Sequence, residues 1–213
     1  MGPVGRLFSI AVIACLGTSC LGPGTTQSPR FFVLTATALP DSAEAAASNL
    51  RAASNLRAAS SLRLGIGPVR LPERLNRLQI LTLKGKNEVE LSSFSRWAEP
   101  LENNVTRVLT ENISKLIPTD QVFIYPWSTR TAIDFQVEVE VLHFEGQNGN
   151  QVALTARWRL LDSSGSEAGA ARFFQYEQAI RGRSTKALVS SMSQALGALS
   201  TDIAAEIANI ATR

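Results

Sequence analysis

Apolar and polar residues alternate most clearly from Ile133 onward. Ile133, Phe135, Val137, Val139 and Val141 fall on one side, and Asp134, Gln136, Glu138 and Glu140 on the other. Period-two alternation of this kind predicts a strand with one buried face. Asn148-Gly149 predicts a hairpin, because both residues accept the positive φ of a tight turn. On the return strand Val152, Leu154, Ala156, Trp158 and Leu160 face inward and Arg157 and Arg159 outward. Asp162-Ser163-Ser164-Gly165 then predicts a turn into a further strand, Arg172 to Tyr176.

Earlier segments read as shorter elements. Arg30-Phe31-Phe32-Val33-Leu34-Thr35 is β-rich and reads as the first strand. Leu62, Leu64 and Ile66 alternate before Gly67-Pro68-Val69 and Leu71-Pro72, which read as punctuation. Leu78 to Leu83 predicts a strand, Gly85-Lys86-Asn87 a turn, and Val89-Glu90-Leu91 a return strand. A helix is expected to start around Trp97 to Leu101, with Pro100 tolerated in its first turn. Its apolar face is Leu101, Val105, Val108, Leu109, Ile113 and Leu116, and Pro118 closes it. Val122 to Tyr125 reads as a short strand. From about Thr185, Leu188, Met192, Leu196, Leu199, Ile203, Ile207 and Ile210 recur at helical steps. Together these predict one α+β domain over residues 31–213, with two helices packed on one face of a mainly antiparallel sheet.

The N-terminus reads as an address. Arg6 supplies a positive start, and Leu7 to Leu16 form an uncharged apolar run too short to span a bilayer as a helix. Gly17-Thr18-Ser19 before Cys20 is similar to a bacterial lipobox, which makes residues 1–19 a lipoprotein signal and Cys20 the lipidated residue. Val12-Ile13-Ala14-Cys15 also fits such a box, and an ordinary cleaved signal with incidental cysteines is the bland reading. Cys20 is preferred because it leaves the longer apolar run and is followed by a Gly/Pro/Thr/Ser tether, residues 20–30. By analogy with lipoprotein sorting in Gram-negative bacteria, Leu21 in place of an aspartate favours the outer membrane.

Composition removes several functional classes. The chain has 213 residues, a net charge of +3, 45% apolar and 18% charged residues. That is a foldable chain of ordinary charge, without the basic runs of a nucleic-acid surface. Its two cysteines, Cys15 and Cys20, and its single His143 cannot plausibly converge on a zinc site, and no disulfide framework is possible in the body of the protein. No metal site and no cofactor are expected. Nucleophilic chemistry with a Ser–His or Cys–His pair would have to run through His143, at the end of a strand, which reads as structural or solvent-facing. Glu138 and Glu140 read as a wet face opposite Arg157 and Arg159 rather than an acid/base pair. The sequons at Asn104 and Asn112 lie inside a helix and are discounted. No catalytic residue is assigned. Trp97 and Trp127 sit at element junctions beside Pro100 and Pro126, as packing plugs or interface anchors; with Arg96, Glu99 and Tyr125 they form the candidate interface.

The order of these motifs resembles the PqiC family, auxiliary lipoproteins of ABC-type and MCE (mammalian cell entry) transport systems. The resemblance rests on the lipobox cysteine, Arg30 to Leu34, Gly67-Pro68-Val69-Arg70-Leu71-Pro72 and Leu78-Gln79-Ile80. Arg96-Trp97-Ala98-Glu99-Pro100-Leu101 is its most specific stretch, supported by Leu109 to Asn112, Tyr125-Pro126-Trp127, Val137 to Phe144 and Arg157 to Leu160. It implies a non-enzymatic lipoprotein on the periplasmic face of the outer membrane that meets an MCE-domain lipid transporter and forms a homo-oligomeric ring. A structural lipoprotein, or an assembly chaperone for an outer-membrane barrel protein, is the competing reading; a periplasmic hydrolase would lean on His143 alone.

A duplication departs from the family pattern. Ser48-Asn49-Leu50-Arg51-Ala52-Ala53 repeats as Ser54-Asn55-Leu56-Arg57-Ala58-Ala59, and in part from Ser60 to Arg63. A six-residue period turns about 600° around a helix, so its leucines form no stripe, and the segment (about 41–61) reads as a low-complexity linker. Loop closure costs only about 0.6 kcal/mol per doubling of length. Deleting Ser48 to Ala59 is therefore expected to leave the melting temperature nearly unchanged; a large drop would show that the segment is packed.

Overall fold

The computed structural model describes residues 27–37, 61–117 and 119–212. The signal segment, Cys15, Cys20, Pro118 and most of the hexad repeat lie outside them. Eight strands form one mixed sheet: β1 (Arg30–Phe32), β2 (Leu64–Arg70), β3 (Gln79–Lys84), β4 (Glu88–Trp97), β5 (Val122–Ile124), β6 (Phe135–Gln147), β7 (Gln151–Asp162) and β8 (Arg172–Ala179). Two helices, α1 (Leu101–Leu116) and α2 (Thr185–Ile210), pack against each other and cover one face of the sheet. The fold is α+β in a single domain, as the alternation and the two helical stripes predict.

The sheet forks along β6. One edge of this strand pairs antiparallel with β7 over its whole length, and β7 pairs likewise with β8. The other edge is shared. β2 runs parallel beside the first part, from Leu64 opposite Phe135 to Arg70 opposite Glu140. β3 meets only the far end, with Thr82 opposite Gly146 and Leu83 opposite Gln147. β5 adds parallel to β2, β4 antiparallel to β3, and β1 parallel to β4. The long ladders are thus antiparallel, and the parallel ones are short.

Between Arg70 and Thr82 the chain crosses a gap on that edge of β6, and a bulge lies there. Val141 is opposite Ala156 and His143 opposite Thr155, which leaves Leu142 extra. One extra residue reverses the side to which all later residues point. Val137, Val139 and Val141 are buried before it, and Phe144 and Gly146 after it. A short 3₁₀ turn, Glu73–Leu75, fills the gap. From it the Arg74 guanidinium donates to the Leu142 carbonyl at 2.7 Å and to Glu145 Oε1 at 3.3 Å. Glu145 is fully buried, and its other oxygen accepts the Phe144 N–H at 2.7 Å. At the start of the fork, Arg63 grips Asp134 through its backbone N–H and side chain. The Arg63 hydrogen bonds hold the Asp134 carboxyl below its ordinary pKa.

Several boundaries differ from expectation. The strand expected to stop at Gly67-Pro68-Val69 continues to Arg70, because a register shift between Ile66 and Val69 absorbs the proline, which has no N–H to give. The return strand expected at Val89–Leu91 runs on to Trp97, so Trp97 ends a strand and the helix begins at Leu101, after Pro100. The first strand stops at Phe32 instead of Thr35, because the Leu34 N–H turns away to the Asn104 side chain at 3.1 Å.

Arg74→Ala removes the donor that faces both the bulge carbonyl and a buried carboxylate. Leaving buried acceptors short of a partner costs about 1–3 kcal/mol. Urea unfolding of the variant is expected to show a loss of that size, and unchanged stability would deny Arg74 this role.

Candidate functional site

The candidate interface residues fall in two places. Arg96 and Trp97 end β4, and Glu99 and Pro100 lead into α1; Tyr125, Pro126 and Trp127 follow β5. Trp97 is only 2% exposed and packs inside the protein, with Leu75, Leu101, Phe144 and Met192 around it. Its ring is a packing plug, which takes it out of any contact surface. Pro100 is exposed and occupies the position before the first helical residue, where its fixed φ of −50° costs no helical hydrogen bond.

Tyr125 and Trp127 form an edge-to-face pair, their ring centroids 5.5 Å apart and their planes at 87°. Such pairs contribute about 0.5–1.5 kcal/mol beyond the area they bury. Gly65 of β2 makes room for the indole, since a Cβ there would collide with the Trp127 ring. Trp127 is half-buried by this seat, whereas Tyr125 is 49% exposed. The Tyr125 N–H donates to the Ile66 carbonyl at 3.0 Å, which fixes the corner to the central strand.

An open groove of about 290 Å³ runs beside this corner, lined on one side by Gly67, Pro68, Ile124 and Tyr125 and on the other by Glu102, Thr106 and Arg107 of α1. Arg107 joins the two halves of the site. It donates to Glu99 Oε1 at 3.3 Å, Glu111 Oε1 at 2.9 Å, Asn104 Oδ1 at 2.7 Å and the Leu34 carbonyl at 2.9 Å. Glu99 and Tyr125 thus share one neighbourhood through Arg107. Arg96 lies apart, in register with Phe31 of β1.

Arg107 and Asn104 are additions that the sequence reading missed. Asn104 is fully buried and Asn112 nearly so, and the Asn112 amide donates to Ser200 Oγ on α2 at 3.2 Å. Both occur at helical spacing on the face of Leu101, Val105, Val108 and Leu109, which was the available signal. Burial also explains why neither sequon is an accessible acceptor. Glu138 faces Arg159 at 2.7 Å across the β6–β7 ladder, on the exposed side as expected. His143 is half-exposed, with Nδ1 2.9 Å from Glu145 and 3.1 Å from the Arg74 guanidinium. Among the described residues no cluster of His, Cys, Asp and Glu could hold a metal ion, and no helix is long and apolar enough to cross a membrane.

The sequence model for the ABC-type transport auxiliary lipoprotein component matches residues 42–204. The chain belongs to this family. The match takes in the auxiliary-lipoprotein motifs from Gly67 to Leu160, including the Tyr125–Trp127 corner and the Glu99–Arg107 link. Two solved structures share the fold of this auxiliary lipoprotein. One is an uncharacterized protein, 18% identical, with a TM-score of 0.65 over 85% of this chain and 99% of that one. The other, from Xanthomonas campestris, is 14% identical, with a TM-score of 0.65 over 86% and 97%. No curated protein matches the sequence.

The seat of Trp127 can be tested directly. Gly65→Ala forces a methyl group against the indole and is expected to cost about 1–3 kcal/mol as an overpacking change. In the Trp127→Ala background the same substitution is expected to cost almost nothing. Equal costs in both backgrounds, measured by thermal or urea unfolding, would show that the two residues do not share this contact.

Proposed function

We propose that the protein is exported, processed to begin at Cys20 and held by its lipid on the periplasmic face of the outer membrane, as a non-catalytic accessory subunit of an MCE/ABC-type lipid transport system. The observation that carries this reading is the family match over residues 42–204, to an auxiliary component of ABC-type transport. The lipobox around Cys20 supplies the anchor, and Leu21 supports the outer membrane as its site.

The corner at Tyr125 and Trp127 suits a docking role for the MCE-domain partner or for the neighbouring copy in a ring. The Trp127 ring is seated against Gly65, the Tyr125 ring packs edge-to-face on it, and the Tyr125 backbone is fixed to Ile66, so little freedom is lost on contact. Pro126 beside them adds a second stiff element. Arg107, Glu99 and Glu102 give the adjoining groove a charged rim.

Two or more acyl chains hold a protein on a membrane where a single chain is marginal. Cys20→Ser is expected to leave the protein unprocessed or soluble, and Cys15→Ser to leave it in the outer-membrane fraction. The opposite pattern would assign the anchor to Cys15. Crosslinking from intact cells is expected to capture an MCE-domain protein, with the yield falling in Tyr125→Ala. Capture of an outer-membrane barrel protein instead would overturn the transport reading in favour of an assembly role.

A further inference from the structure

The face of the sheet turned away from the helices is divided in character. Across β6, β7 and β8 it carries mainly polar residues, Glu138, Glu140, Arg157, Arg159 and Gln175, with the single exposed aromatic Phe173 opposite Arg157. Across β4 and β1 it is apolar. Ser95 of β4 lies 3.1 Å from the Thr185 hydroxyl of α2, so strand alternation turns Phe94 and Arg96 to the opposite face. Glu90 and Ser92 line a groove with Ser184, Thr185 and Leu188, so Val89 and Leu91 also point away from the helices. Phe31 is paired in register with Arg96.

Val89, Leu91, Phe94 and Phe31 are 49%, 38%, 43% and 62% exposed. Exposed apolar side chains scattered singly are ordinary, whereas a row of them on neighbouring strands marks a contact surface. The charged side chain in the row, Arg96, has a buried Nε without a hydrogen-bond partner and forms no ion pair among the described residues. The row therefore combines aromatic and aliphatic surface with an unneutralised cation.

We propose that this wing rests on the bilayer that holds the lipidated N-terminus, with Phe31, Leu91 and Phe94 at the lipid interface and Arg96 facing lipid phosphate. The inference builds on the Cys20 anchor. From Leu21 to Pro29 the tether has nine residues. At about 3.3–3.6 Å per extended residue it reaches about 30 Å. It ends at Arg30, and Phe31 of the apolar row is the next residue. The row thus begins where the tether ends, and its chemistry is that of interfacial residues, with apolar bodies in the acyl boundary and a cation among headgroups.

The test uses the processed, lipidated protein in vesicles of phosphatidylethanolamine and phosphatidylglycerol. A mature chain beginning at Cys20 carries no other cysteine, so Val89→Cys and Gln175→Cys each accept one environment-sensitive fluorophore while Phe31, Leu91 and Phe94 stay intact. A label at residue 89 is expected to be quenched severalfold more strongly by nitroxide-bearing lipid than a label at residue 175. Phe31→Glu with Phe94→Glu is expected to abolish the difference while the melting temperature holds. Equal quenching at the two positions, with Cys20 shown by mass to be acylated, would overturn this proposal and leave the anchor standing. A label at residue 89 that is shielded from water but not quenched by lipid would show that protein, such as a second copy, covers the face. Absence of acyl chains on Cys20 would overturn the anchor and this proposal together.

Discussion

The strand β6 is the member on which the sheet depends, because two separate sets of strands share one of its edges. Neither β2 nor β3 is long enough to occupy that edge alone, and they meet it at different heights. The stretch between them leaves backbone groups without a ladder partner, a state that folded proteins seldom leave unanswered. Arg74 answers it from outside the sheet, giving its guanidinium to the carbonyl of the extra residue, Leu142. A buried carboxylate, Glu145, holds the same guanidinium in place. The fork is therefore closed by one charged side chain rather than by a strand.

This arrangement explains how far the sequence could be read. Wherever one face of an element is dry and the other wet, pattern suffices: the alternation through Val141, the Asn148-Gly149 hairpin and the stripe of the C-terminal helix lie where the periodicity puts them, although the strand begins at Phe135 and not at Ile133. Pattern falls short where tertiary contacts decide. β4 beyond Leu91 shows no clean alternation in the sequence, because a register shift against β3 interrupts the pleat between Leu91 and Arg96, after which Ser95 and Trp97 turn inward and Phe94 outward. Gly67-Pro68 reads locally as a stop, yet β6 on one edge carries β2 through it, pairing with Val69 and Arg70 beyond the register shift. Parallel pairing between distant segments leaves no local signal at all.

The candidate site was legible in part. Tyr125-Pro126-Trp127 stands out from sequence because aromatic residues beside proline at a junction are rarely idle. The same reasoning left Trp97 open between packing plug and interface anchor, and its ring is buried once β4 is seen to reach it. Arg107 was invisible as a junction between Glu99, Asn104 and Leu34, since its partners come from three segments. Asn104 was recognisable as helical but not as buried, although its spacing from Leu101 and Val108 put it on the apolar face.

The extra residue at Leu142 acts like a frameshift in the pleat. Upstream of it, odd-numbered residues face the helices; downstream, even-numbered ones do, with Glu145 buried on the opposite face against Arg74. Excising that residue would leave every later side chain of β6 chemically unchanged yet on the wrong face: Phe144 would be turned to the side where Arg74 covers Glu145, and Glu145 into the packed layer beneath the helices. A bulge in this position lets one continuous strand obey two opposite inside–outside conventions, each suited to the strands that meet it there.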